Sequence, residues 1–280
     1  MRTLTFYRHG ITMGTPPSRN DHLRKPRGEV GGWSSGSTRR NIAFLRSVDP
    51  DTLICTSDGE LLHGFAFTLT LRDCPPTSDD WHRLRKSLLE RLRRAGMYRL
   101  HWVTEWQRRG VPHLHGAIWS PDPLFGRRII SHWLRLTFDL GTTERGQHCA
   151  PISDALGWFQ YLSKHAARGV KHYQRSSENI PDGWQKTGRV WGYSGHWDLV
   201  DPEKIHIDSR TFFRMRRILR SRSISDARSS GSLRRLAYAR SMLKCHDKAI
   251  SETRGVSEWF DIEDQRRALD LARSISQDPR

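Results

Sequence analysis

Two histidines one residue apart, His113-Leu114-His115, lie in a stretch whose composition reads as a β-strand. Strand alternation sends both imidazoles to one face and Leu114 to the other, an arrangement that suits two nitrogen ligands on one metal ion. Glu105 precedes them across a short turn at Arg108-Arg109-Gly110. Pairing Glu105 with His113 centres a hairpin on Arg109, and directly opposed residues of an antiparallel pair share a face. Glu105, His113 and His115 therefore converge as one carboxylate oxygen and two nitrogens. Three protein ligands leave coordination positions open, as Lewis-acid chemistry requires. A lone HxH is ordinarily a pair of surface strand histidines; the acid at hairpin spacing tips the reading toward a metal site.

Further along, Tyr161-Leu162-Ser163-Lys164 reads as helix, where Tyr161 and Lys164 share a face. A phenol with a pKa of about 10 is a poor nucleophile at neutral pH. A metal-bound phosphate as its target, with an ammonium nearby, lowers that barrier. Alone, YxxK marks only an amphipathic helix. It gains meaning from its place, one helix beyond the HxH hairpin. His101, His165 and His172 read as ordinary strand or helix positions, and His148-Cys149 lacks a partner pair for zinc.

The elements that must position these residues follow from periodicity. Phe65 to Leu71 reads as a strand ended by Pro75-Pro76. Thr77 or Ser78 then caps a helix with Asp79 and Asp80 in its first turn. Trp81, Leu84, Leu88 and Leu92 form its apolar face, and Gly96 sits at its C-terminal end. Strands over 98–106 and 113–119, a helix over 127–138, a short strand over 148–152 and a helix over 155–168 complete the series. The order is strand–helix–strand–strand–helix–strand–helix, an α+β pattern of the ferredoxin-like, split βαβ kind with a central antiparallel sheet. Gly116 inside the third strand admits a close neighbour, and residues 181–200 read as a cap on the sheet.

Phe67-Thr68-Leu69-Thr70, Glu105 with Pro112-His113-Leu114-His115, and Tyr161-Leu162-Ser163-Lys164 resemble the three ordered motifs of the HUH endonucleases. The closest likeness is to rolling-circle replication initiators of phages and plasmids. It spans roughly residues 60–200, and Gly188-Arg189-Val190-Trp191-Gly192 resembles the tail of that domain in the phage-type group. The resemblance implies a five-stranded sheet with the HxH on a central strand and the tyrosine on a helix over the metal. It implies that Glu105, His113 and His115 hold Mg²⁺ or Mn²⁺, that Tyr161 attacks the scissile phosphate, and that Lys164 steadies the charge. The products are a 5′-phosphotyrosine and a free 3′-OH primer end. Many phage-type members carry a second tyrosine four residues after the first. His165 stands there in this chain, so termination needs a second subunit, as in a homodimer, or an activated water.

The 280 residues carry 47 Lys+Arg against 30 Asp+Glu, a formal charge of +17 that calls for a polyanion; the resemblance implies that it is single-stranded and duplex origin DNA. No apolar run approaches the roughly 18–20 residues of a membrane span, and no secretory signal opens the sequence. Cys55, Cys74, Cys149 and Cys245 are scattered, as in a reduced protein of the bacterial cytoplasm. Residues 1–58 read as a poorly ordered basic arm, 59–202 as the catalytic domain and 203–280 as a basic helical region, helical up to Ile275 apart from a Ser/Gly hinge at 229–232. Arg108 and Arg109 beside the turn, and Arg214, Arg216, Arg217 and Arg220 in the C-terminal run, are the expected DNA contacts. No GxxxxGK[ST] motif is present, so unwinding falls to a host helicase and the host replication machinery. A conjugative relaxase, a single-tyrosine transposase and a non-catalytic DNA- or RNA-binding protein remain as alternatives.

Overall fold

The computed structural model describes residues 2–14, 31–167, 174–244, 246 and 248–277. It is α+β, with two antiparallel sheets and, among the described residues, eight α-helices. The chain divides into two compact units: residues 26–199, and residues 1–25 together with 200–280.

The first strands, β1 (Arg2–Tyr7) and β2 (Gly10–Gly14), form a hairpin of the second of these units. Helix α1 (Ser35–Ser47), capped by the Ser34 side chain, opens the other. There follow β3 (His63–Thr70), α2 (Ser78–Arg94), β4 (Arg99–Trp106), β5 (Pro112–Ser120), α3 (Phe125–Leu136), β6 (His148–Pro151), α4 (Ala155–Ala167) and β7 (Trp191–Gly195). From β3 to α4 this is the order expected from periodicity. Residues 191–195 do more than cap the sheet: they are its edge strand.

That sheet runs β6-β3-β5-β4-β7, with β5 in the middle. Every residue of β4 and β5 is buried, because helices cover both faces. On one face Trp81 of α2 donates from its indole to Thr104 Oγ1 and meets Trp133 of α3 edge-on. Helix α2 is fixed by a reciprocal capping box between Thr77 and Asp80, and Gly96 follows it with φ +101°. Gly116 lies on this face too. A Cβ there would come within 2.7 Å of Phe67 Cε1 and 2.8 Å of the His101 carbonyl, so the close neighbour is the Phe67 ring. On the opposite face, Phe44 of α1 stacks on His101 and Tyr193, and Phe159 of α4 packs beside Trp119. The functional side chains lie on this second face.

The remaining elements are β8 (Glu203–Ile207), α5 (Ser209–Ser229), α6 (Leu233–Ser241), α7 (Lys248–Thr253), β9 (Ser257–Glu258) and α8 (Ile262–Gln277). Among the described residues, the chain after the hinge is thus three further helices and a short strand, not one amphipathic run. Their sheet runs β8-β1-β2-β9, and Leu4, Phe6, Ile11 and Met13 pack with Phe212, Met215 and Leu219 of α5 and Leu269 and Ala272 of α8. The expectation of a poorly ordered arm over 1–58 does not hold at the strands of 2–14 or at helix α1, while residues 15–30 lie outside the described residues. Residues 2–14 alternate apolar and polar, and their apolar face finds cover in helices some 200 residues away. Helix α1, likewise assigned to the arm, buries Phe44 and Leu45 in the other unit. Among the described residues no helix is long and apolar enough to cross a membrane.

Candidate active site

The register of β4 and β5 puts Glu105 opposite His113 and Val103 opposite His115, with the turn centred on Arg109 as the spacing predicts. On the other side of β5, Thr68 lies opposite His115, and its hydroxyl hydrogen-bonds His115 Nδ1 at 2.7 Å. That contact turns Nε2 toward Glu105, whose Oε2 is 3.6 Å away. The two imidazoles meet edge-on with centroids 4.5 Å apart. One ligand atom from each of Glu105, His113 and His115 lies within 4.8 Å of the others, and all three residues are buried.

A buried carboxylate needs a counter-charge. Arg175 supplies it. Its Nε donates to Glu105 Oε1 at 2.9 Å, and Nη2 sits 2.8 Å from the same oxygen. Nη2 also donates to the Leu162 carbonyl of α4 at 3.1 Å. The guanidinium lies 3.9 Å over the Trp33 ring, whose Nε1 donates to the Thr104 carbonyl. Burial pulls the Arg175 pKa down, and Glu105 opposes that pull. Glu105 Oε2, in contrast, is buried with no hydrogen-bond partner among the described residues. An unsatisfied carboxylate oxygen beside two imidazoles is the donor set and the electrostatic need of a divalent cation. The site fits one.

Helix α4 presents Tyr161 beside this cluster. Buried Phe159 and Leu162 hold the helix on the sheet, while Tyr161 is 38% exposed, open enough to meet a macromolecule. Its ring stacks on Trp158 at 5.0 Å and approaches His115 edge-on at 6.5 Å between centroids. The side chains of Lys164 and His165, and the whole of His172 and Tyr173, lie outside the described residues.

His101 is fully buried, and its Nε2–H donates to Asn41 Oδ1 at 2.8 Å. Burial, then Arg175, pushes its pKa down to about 3, so it is a neutral core residue. His148 is exposed on β6. Burial raises the Cys149 thiol to about 11, and neither residue joins a ligand cluster among the described residues.

The arginines expected at DNA divide by where their donors go. Arg109 bonds the Leu71 and Arg72 carbonyls and Gln107 Oε1, closing the hairpin tip onto the end of β3. Arg108 lines a cleft of about 450 Å³ with Cys74, Glu178, Asn179 and Asp182. On α5, Arg216 is buried and donates to the Ser251 carbonyl, and Arg220 donates to the Arg240 carbonyl. Arg217 is exposed and Arg214 half-buried. Arg109 and Arg216 thus have structural duties that their place in a basic run did not announce. Arg175 and Trp33 escaped the sequence reading altogether. A single arginine in a basic chain and a tryptophan beside Gly31-Gly32 carry no periodic signal.

An antiparallel sheet whose middle strand carries two same-face histidines opposite a buried glutamate, with a tyrosine-bearing helix over them, is consistent with the HUH-type fold. Comparison with known proteins narrows that class. Residues 64–190 match the model of the ORF2-type replication-associated protein family. The chain is 49% identical over 271 residues to a protein of Xylella fastidiosa (strain 9a5c) that bears a replication-protein name, covering 94% of this chain and 93% of that one. It is also 49% identical over 267 residues to a replication-associated protein of Pseudomonas phage Pf3, covering 93% of each. No solved structure matches the chain significantly. The chain belongs to this ORF2-type family of phage and plasmid replication-associated proteins.

Proposed function

We propose that this replication protein starts rolling-circle synthesis by nicking one origin strand and later rejoins it. The observation that carries the reading is the convergence of Glu105, His113 and His115 within 4.8 Å beside an accessible Tyr161. Glu105 Oε2 and one nitrogen of each histidine would hold Mg²⁺ or Mn²⁺. When bound, the ion supplies a Lewis acid that draws charge from a phosphate oxygen. With an ion held by His115 Nε2, the ring proton would sit on Nδ1 and be donated to Thr68 Oγ1, 2.7 Å away, which would lock the ring. Tyr161 Oη attacks phosphorus and gives up its proton. The P–O3′ bond breaks, and the 3′ oxygen takes up a proton to become the primer hydroxyl. Lys164, one helical turn on, offsets the charge that develops.

Arg108 beside the hairpin and Arg214, Arg217 and Arg220 on α5 hold phosphates, while Arg109 and Arg216 position backbone. The protein works in the bacterial cytoplasm with a host helicase and the host replication machinery. Rejoining uses a second subunit or an activated water.

The test is incubation with labelled single-stranded origin DNA and Mn²⁺ or Mg²⁺. The expected product is an SDS-resistant adduct that Tyr161→Phe abolishes and that chelation prevents. An adduct that persists in Tyr161→Phe removes Tyr161 as nucleophile. Binding without cleavage favours a non-catalytic role.

A further inference from the structure

Helix α5, residues 242–244 and residues 251–252 line an open groove of about 460 Å³, within the roughly 300–1,000 Å³ of ligand sites. Its apolar part is Phe213, Met242 and Leu243; its charged part includes Arg217, Arg220 and Lys244. Leu243 is the one non-glycine residue with positive φ among the described residues, at +67°. A leucine held in the left-handed region marks a forced bend, and the bend falls where the chain lines the groove. Arg216, more than nine-tenths buried, also lines it, with Nε lacking any hydrogen-bond partner among the described residues. Burial, then Arg2 and Arg254 nearby, draw the Arg216 pKa down, a sign of cations crowded together. Among the described residues none of Arg2, Arg216, Arg217, Arg220, Lys244 and Arg254 forms an ion pair with a carboxylate. Among the described residues, Glu252 is the single acid lining the groove.

We infer that this groove is a binding site for single-stranded nucleic acid, separate from the Glu105–His113–His115 cluster, in which an unpaired base rests on Phe213 and Met242 while Arg217, Arg220 and Lys244 take the flanking phosphates. The cations alone would serve a duplex equally well. The apolar floor decides for a single strand, because a duplex keeps its base faces stacked inside and an unpaired base offers a π-face to an aromatic ring. The inference rests on the proposed nicking function only for its biological sense: the site would keep hold of a strand that unwinding has set free.

The test is fluorescence anisotropy of the full chain with a labelled oligothymidine lacking any origin sequence, over a salt series. Arg217→Gln/Lys244→Gln, changed at two exposed positions, weakens binding at least tenfold. It also reduces the log–log salt slope by roughly 1.4, about 0.7 for each single-strand phosphate released. Phe213→Leu keeps an apolar side chain against the core but removes the ring, weakens oligothymidine severalfold and leaves an abasic strand of equal length unaffected. Wild-type affinity in the double variant overturns the inference, as does a wild-type chain that holds a matched duplex as tightly as the single strand. A wild-type chain that forms no tyrosyl adduct removes the nicking reading and leaves these binding measurements standing, so the two fail separately.

Discussion

Arg175 places two demands on Glu105 at once. It neutralises the carboxylate, and by taking Oε1 it leaves Oε2 as the oxygen that faces the histidines. Arg175→Met removes a buried counter-charge, which costs about 3–5 kcal/mol of stability in the metal-free protein. Added Mn²⁺ restores part of that loss, because a cation at Oε2 again balances the charge. Urea unfolding with and without Mn²⁺ measures both; a variant as stable as wild type, or one indifferent to Mn²⁺, contradicts the account. His101 makes a second prediction. Folded, it stays neutral down to about pH 3, whereas an unfolded histidine takes up a proton near pH 6.5. Between those values the unfolded chain binds the extra proton, so this group lowers stability as pH falls, by up to about 1.4 kcal/mol per pH unit. His101→Gln, which keeps an amide N–H toward Asn41, should flatten that part of the stability–pH curve relative to wild type.

At the scale of elements, much of the site was written locally. Two-residue alternation sets Glu105, His113 and His115 on one face, and the turn length fixes their register; both are properties of one short stretch of neighbouring residues. The Arg175 contact is not local, since 70 residues separate it from Glu105 and no pattern links them. Two element-level changes test the frame. Thr77→Ala removes one half of the capping box of α2 and should cost about 1 kcal/mol in chemical unfolding. Gly116→Ala drives a methyl into the Phe67 ring and the His101 carbonyl at the centre of the sheet. Overpacking of this kind costs about 1–3 kcal/mol. Because β5 must shift to relieve it, Mn²⁺ binding should weaken as well, which calorimetry on the folded variant would detect.

For the molecule as a whole, the two units have separate cores, and residues 26–199 contain Glu105, His113, His115 and Tyr161. A chain lacking residues 1–14 loses two of the four strands of the other unit, one of them β1, which pairs with both β2 and β8. Limited proteolysis of that truncation should therefore cut within 200–280 while sparing 31–167. Equal resistance throughout would mean that β8 and the C-terminal helices stand without the hairpin. The alternation of Leu4 and Phe6 with Thr3, Thr5 and Tyr7 was visible in the sequence. Six residues of alternation make no core alone, and their cover lies at Phe212 and Leu269, beyond the reach of any local pattern.

The same pairing sets an order of events during synthesis. The β1–β2 hairpin leaves the ribosome about 190 residues ahead of β8, and the loop-closure cost grows only slowly over that span. Meanwhile the residues that build the Tyr161 unit emerge in full and have everything they need to fold. A nascent chain can thus bring Glu105, His113 and His115 together before β8 and α5 have left the ribosome, and the hairpin waits with both edges unpaired. Until β8 and β9 arrive, those edges are open to pairing with another chain.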